Sequence, residues 1–88
     1  MRRRVIFEPQ AFVDLRQLQG RIVPFSEDLH LVVTQQISFI DQFGTSGSEA
    51  VVYESEEAWS RDLLGKHRLI FQINDEEIRI LSCRHRRK

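Results

Sequence analysis

The reading of this chain turns on its last third, Ala58 to Lys88, AWSRDLLGKHRLIFQINDEEIRILSCRHRRK. Three short apolar runs lie in it, separated by Gly65-Lys66 and by Asn74-Asp75-Glu76-Glu77, the kind of polar or glycine-bearing break that reverses a strand. The spacing predicts a three-stranded antiparallel meander over roughly 58–64, 67–73 and 78–84. Strand side chains alternate between faces. His67, Leu69, Phe71 and Ile73 therefore share one face of the middle strand, and Arg68, Ile70, Gln72 and Asn74 share the other. Leu69, Phe71 and Ile73 make the better core face, which turns Arg68 away from it. In the last strand Ile78, Ile80 and Ser82 alternate with Arg79, Leu81 and Cys83. In the first, Trp59, Arg61 and Leu63 oppose Ser60, Asp62 and Leu64, and the spacing does not fix which set meets Arg68.

Upstream, Arg4-Val5-Ile6-Phe7 is β-prone and is stopped by Pro9, so it reads as a first strand. Pro9 suits the first turn of a helix, where its missing N–H is not needed. Apolar residues then fall at Ala11, Phe12, Leu15 and Leu18, with Asp14 and Arg16 outward and Gly20 as a stop, which predicts a helix over roughly 9–19. Pro24 disfavours helix before it. Ser26 is a candidate cap for a second helix, with Glu27 and Asp28 near its positive end. Leu29, Val33, Ile37 and Ile40 form its apolar stripe. The β-branched run in Leu31-Val32-Val33-Thr34 keeps a strand reading open there. Phe43-Gly44-Thr45-Ser46-Gly47-Ser48-Glu49 is loop by composition, and Val51-Val52-Tyr53 is a brief extended piece. The order β-α-α-β-β-β predicts an α+β fold, two helices packed on a small, mostly antiparallel sheet.

At 88 residues the chain has room for one domain, 1–88, and one compact core. Its 41% apolar and 30% charged composition is that of a globular protein. Thirteen basic and thirteen acidic side chains cancel, so the chain is no polycation. Their layout is uneven, with Arg2-Arg3-Arg4 at one end, Arg84, Arg86, Arg87 and Lys88 at the other, and Glu49, Glu54, Glu56, Glu57 and Asp62 between. Such a layout can hold a polyanion locally without a high isoelectric point. One cysteine excludes an intrachain disulfide, and three histidines without partner cysteines give a zinc site little support. No signal peptide or membrane-spanning run is visible, which predicts a soluble cytoplasmic protein. No metal or cofactor is expected. Arg61, Arg68 and Arg84 have two readings: solvated positions on an exposed sheet face, or a concave basic patch whose planar guanidinium groups suit phosphate.

Trp59-Ser60-Arg61, then His67-Arg68-Leu69, then Cys83-Arg84 resembles the C-terminal half of the YoeB/Txe branch of the RelE/ParE-type toxins, small bacterial proteins of toxin–antitoxin pairs. The likeness covers roughly 49–88 without a gap. In the first half it is thinner, resting on Val5-Ile6-Phe7-Glu8, Asp14-Leu15 and Phe43-Gly44. It implies the RelE/ParE-like, microbial RNase-like fold and the activity of a ribosome-dependent mRNA interferase. Glu49 falls where the family has its general base, placed here in a mobile, glycine-flanked loop. Arg68 matches the arginine that stabilises the phosphate, and Arg61 a nearby basic residue of that site. Trp59 and Leu69 look structural. Family members typically close Cys-Arg-Tyr-His-Tyr, with the histidine as general acid. Here Arg86 takes the histidine position, Arg87 the final aromatic, and a histidine sits one place early at His85. The resemblance thus implies Glu49, Arg68, His85 and Arg86 as catalytic residues and Arg61, Arg84 and Arg87 as substrate-binding ones. It also implies an antitoxin partner of the YefM/Axe type, the ribosome and mRNA as targets, and is compatible with a homodimer. The altered ending keeps a second class open, a relative of the fold that acts by binding an antitoxin or a topoisomerase-type target.

Overall fold

The computed structural model describes residues 2–21, 29–64 and 67–83. Seven elements follow in the order β1 (Arg4–Phe7), α1 (Pro9–Arg21), α2 (Leu29–Phe43), β2 (Glu49–Tyr53), β3 (Glu56–Leu64), β4 (His67–Ile73) and β5 (Glu77–Ser82). They build an α+β fold around a five-stranded sheet in the order β1-β5-β4-β3-β2. The meander β2-β3-β4-β5 is antiparallel, and β1 lies parallel to β5, with Val5 beside Ile78 and Phe7 beside Ile80.

The expected core face of the middle strand holds. Leu69, Phe71, Ile78 and Ile80 are fully buried against Ala11 of α1 and Val33, Ile37 and Ile40 of α2, with Trp59 packed at the margin. The stripe of α2 is therefore helical in fact, and the strand reading of residues 31–34 falls. The proposed Ser26 cap lies outside the described residues. The opposite sheet face is not wholly solvated: Ala58, Ile70 and Leu81 form a second small buried cluster, joined by Val51 and Tyr53.

Helix α1 is rolled relative to the expected pattern and runs past Gly20 to Arg21. Asp14 is buried while Phe12 and Val13 are exposed. The reason is a set of hydrogen bonds that makes the burial tolerable. The Asp14 carboxylate accepts from the Ser82 hydroxyl at 2.5 Å, the Cys83 amide at 2.9 Å and the Gln10 side chain at 2.9 Å. Phe12 instead stacks on Phe7 with ring centroids 5.4 Å apart. Burial, with a smaller contribution from Asp14, pushes the Cys83 thiol up to about 12, so it is an inert core residue.

Of the N-terminal arginines, Arg3 is the one bound into the fold by its side chain, and Arg4 makes a looser, exposed contact. Arg3 bridges to Asp41 at the end of α2 at 3.0 Å, and Arg4 to Glu77 at 3.4 Å. Backbone N–H donation from Arg2 leads the effects that hold the Asp41 carboxyl below its ordinary range.

Two turns and a bulge set the strands. Asn74 closes the β4–β5 turn, its side-chain oxygen accepting from the amides of Glu76 and Glu77 at 2.8 and 2.9 Å, an Asx-turn. Register shifts between Ile70 and Phe71, which pair with Ser82 and Ile80. Leu81 is the extra residue, so Cys83 joins the helix-side core instead of sharing the face of Leu81. The β2–β3 hairpin turns through Glu54 and Ser55 at φ of 51° and 71°. That is the two-residue geometry normally given to Asn-Gly, and left-handed backbone costs an ordinary L-residue roughly 1–2 kcal/mol. Replacing Glu54-Ser55 by Asn-Gly is therefore expected to stabilise the protein by about 1 kcal/mol, raising the melting midpoint by about 4–8 °C in thermal denaturation.

Candidate active site

Register decides which side chains meet on the face away from the helices. Asp62 pairs with Arg68 and Ser60 with Ile70 across β3–β4, while Glu49 pairs with Ser60 across β2–β3. Directly paired residues project from the same face, so Glu49, Ser60, Asp62 and Arg68 converge there. Arg68 is their centre. Its Nε donates to the Ser60 hydroxyl, its Nη1 to Asp62 Oδ1 at 2.9 Å, and its Nη2 to Glu49 Oε1 and the Ser60 carbonyl, each at 3.3 Å. The Arg68 side chain is only 16% exposed, whereas Glu49 and Asp62 are 74% and 69% exposed. The guanidinium is thus fixed from below by buried Ser60 and faced from above by two wet carboxylates.

This arrangement can do two things. A planar guanidinium held by its rear donors presents the others in a geometry matched to phosphate oxygens. A carboxylate beside it, exposed to an incoming group, can take a proton close to where that charge would be stabilised. Among the described residues one positive charge there faces two negative ones.

Glu49 is placed differently from the expected loop position. The turn over residues 44–47 closes before it, and Glu49 is the first residue of β2. Gly44 ends α2 at φ 68°, its N–H donating to the Ile40 carbonyl at 2.7 Å, the single-bond left-handed helix stop.

Arg61 is the larger correction. Expected beside Arg68, it pairs with Leu69 and so projects from the opposite face, toward α2. There its Nε donates to Gln36 Oε1 at 2.8 Å and its Nη1 to the Ser46 carbonyl at 3.0 Å. Its guanidinium carbon lies 4.3 Å from the centroid of the Phe39 ring. Burial lowers its pKa from the ordinary arginine value. The exposed-face reading of Arg61 falls with this. Arg84, His85, Arg86 and Arg87 lie outside the described residues.

Ser60 and Asp62 were missed as site residues. Their signal was the alternation itself, since both share the parity that register assigns to Arg68. Farther along the same face, Arg79 donates to Glu8 at 2.5 Å and Glu77 at 3.0 Å. It stands beside a depression of about 500 Å³ rimmed by Glu8, Glu54 and Glu56, an acidic end unsuited to phosphate. Among the described residues no three His, Cys, Asp or Glu side chains are grouped to hold a metal ion, and no helix is long and apolar enough to cross a membrane.

Comparison with known proteins gives a consistent picture. A family model described as the YoeB-like toxin of bacterial type II toxin–antitoxin systems matches residues 7–86. The YoeB dimer from Staphylococcus aureus superposes with a TM-score of 0.78 at 24% identity, covering 99% of this chain and 100% of that one. The heterotetrameric YoeB–YefM toxin–antitoxin complex from the same organism contains a chain matching at TM-score 0.73 and 25% identity, with coverage of 99% and 100%. A YoeB/ParE toxin from Agrobacterium tumefaciens shares the fold at TM-score 0.72 and 13% identity, with coverage of 96% and 99%. Comparison with curated protein sequences returns no match.

Proposed function

The chain belongs to the YoeB-like toxins of bacterial type II toxin–antitoxin systems, and on that premise we propose that it is a metal-independent endoribonuclease that cuts mRNA on the ribosome and arrests translation. The observation that carries this reading is the pairing of Glu49 with Arg68, carboxylate to guanidinium at 3.3 Å. Glu49 accepts the proton of a 2′-hydroxyl, whose oxygen attacks the adjacent phosphorus. Arg68 stabilises the charge that gathers on the pentacoordinate phosphate. The bond from phosphorus to the 5′-oxygen breaks, and His85 protonates that leaving oxygen, a task suited to a group titrating near neutrality. Arg86 adds positive charge at the phosphate, and Arg84 and Arg87 hold the RNA strand. The nucleophile belongs to the substrate, so the step calls for no metal-bound water.

The products are a 2′,3′-cyclic phosphate and a 5′-hydroxyl, and these define the test. Purified protein is incubated with ribosomes programmed with a defined mRNA and the new ends are mapped. Cleavage that disappears when the attacking nucleotide is 2′-deoxy supports the reading. Cleavage that survives that change, or mRNA left intact, overturns it.

A second reading is favoured by one specific observation: Glu49 and Asp62 already occupy donors of Arg68 that a phosphate needs. In that reading the chain binds without cutting, and mRNA stays whole while an antitoxin is still captured. The two readings share a cytoplasmic setting and an antitoxin of the YefM/Axe type, a partner whose acidic segment can cover the basic site. Self-association into a homodimer also belongs to the proposal.

Asp62 gives a sharper expectation. Asp62→Asn keeps the side-chain volume and removes one negative charge from the phosphate position. It is expected to raise cleavage at subsaturating ribosome concentration several-fold, on the order of 1 kcal/mol for an exposed charge contact. The gain should shrink as salt is raised. An unchanged or lower rate at low salt counts against competition by Asp62.

A further inference from the structure

We propose that Arg61 is a positioning residue that fixes the start of β2, and through it the Glu49 carboxylate, and does not contact the RNA. The inference rests on the catalytic reading of Glu49 above. Its ground is the three-way engagement of one guanidinium. Arg61 leaves β3, bonds Gln36 and covers Phe39 on α2, and bonds the Ser46 carbonyl in the turn that delivers the chain to Glu49.

The turn needs such a fastening. Among the described residues strand β2 is at the edge of the sheet and is held laterally by β3 alone. Within residues 44–48 the backbone bonds are few: Ser46 N–H to the Phe43 carbonyl at 3.5 Å and Ser48 N–H to the Thr45 carbonyl at 2.9 Å accompany the Gly44 bond. Gly47 sits at φ 77° with the Arg61 guanidinium 3.4 Å from where a Cβ would be, so guanidinium and turn are fitted to each other. Arg61 and Glu49 point to opposite sides of the sheet. Their connection runs along the backbone from Ser46 through Gly47 and Ser48 to Glu49. A small displacement of a proton acceptor costs rate steeply, about 10²-fold for an ångström.

The experiment separates positioning from phosphate contact. Arg61→Met keeps an unbranched apolar side chain and removes both hydrogen bonds and the guanidinium contact with the Phe39 ring. Single-turnover cleavage on programmed ribosomes is measured in the wild type, Arg61→Met, Glu49→Ala and the double variant, with ribosome binding titrated across salt. Positioning is expected to lower the saturated rate by roughly 10- to 100-fold, leave affinity and salt dependence unchanged, and cost nothing further once Glu49 is Ala. A loss expressed as weaker binding with a salt slope smaller by about one, or a loss additive with Glu49→Ala, overturns it. Amide hydrogen exchange of residues 48–53 in the free protein gives a reading independent of cleavage. Faster exchange there in Arg61→Met, with the buried β4 amides unchanged, supports the proposal; unchanged exchange overturns it. If the wild type leaves mRNA intact, the nuclease reading falls while the exchange result still decides this one. If Arg61→Met does not fold, Gln36→Met, which removes one anchor of the same guanidinium, is read in the same way.

Discussion

Arg68→Ala is expected to reduce mRNA cleavage by about 10²- to 10³-fold, the usual cost of removing a donor aimed at developing charge. Arg68→Lys should recover little of it. An ammonium is a single point charge on a flexible stem, and it cannot bond Ser60 behind while presenting a planar pair of donors in front. The substitution also touches stability. Without the guanidinium the buried Ser60 hydroxyl loses its partner, a penalty of about 1–3 kcal/mol, and Glu49 and Asp62 are left facing one another without their shared cation. Melting of Arg68→Ala and Arg68→Lys must therefore be recorded beside the rates. A folded Arg68→Ala protein that cuts at the wild-type rate rules out phosphate stabilisation by this arginine.

Glu49→Gln is the second large effect, expected at about 10²- to 10⁴-fold for loss of a positioned base. A carboxylate can accept the proton and the isosteric amide cannot, so the loss is expected in the rate of the saturated complex. Binding should move the other way, because removing a negative charge next to Arg68 leaves affinity for the ribosome equal or better. Arg68→Ala, by contrast, loses a contact to phosphate and binds more weakly. A Glu49→Gln protein that cuts at the wild-type rate assigns the base elsewhere.

Much of the frame was legible because it rests on periodicity. The breaks at Gly65-Lys66 and Asn74–Glu77 and the alternation of Leu69, Phe71 and Ile73 place β4 and β5 and name their core face. What stayed hidden depends on quantities that periodicity does not carry. Arg61 and Asp62 are neighbours in sequence and opposites in space, and only the register of β3 on β4 says which accompanies Arg68. Asp14 looked like an outward charge because its partners, Ser82 and Cys83, are almost seventy residues away. The bulge at Leu81 inverts the parity of whatever follows it, which is why Cys83 changed faces. The Glu54-Ser55 turn lacks the Asn-Gly signal its backbone calls for, so in sequence the hairpin that makes β2 a strand shows only as a brief extended piece.

The strand order also bears on the life of the chain during its own synthesis. β5, fifth of the five strands in sequence, occupies an inner place between β1 and β4. Arg4 finds Glu77 as its neighbour across that junction, a closure over most of the chain's length, which is slow and entropically demanding. A nascent polypeptide that has not yet exposed residue 77 can form the β2-β3-β4 hairpins but leaves β1 without a partner and the Asp14 carboxylate without its Ser82 and Cys83 donors. Such a fragment lacks a closed core. A chain of this topology acquires its mature shape only after β5 has emerged.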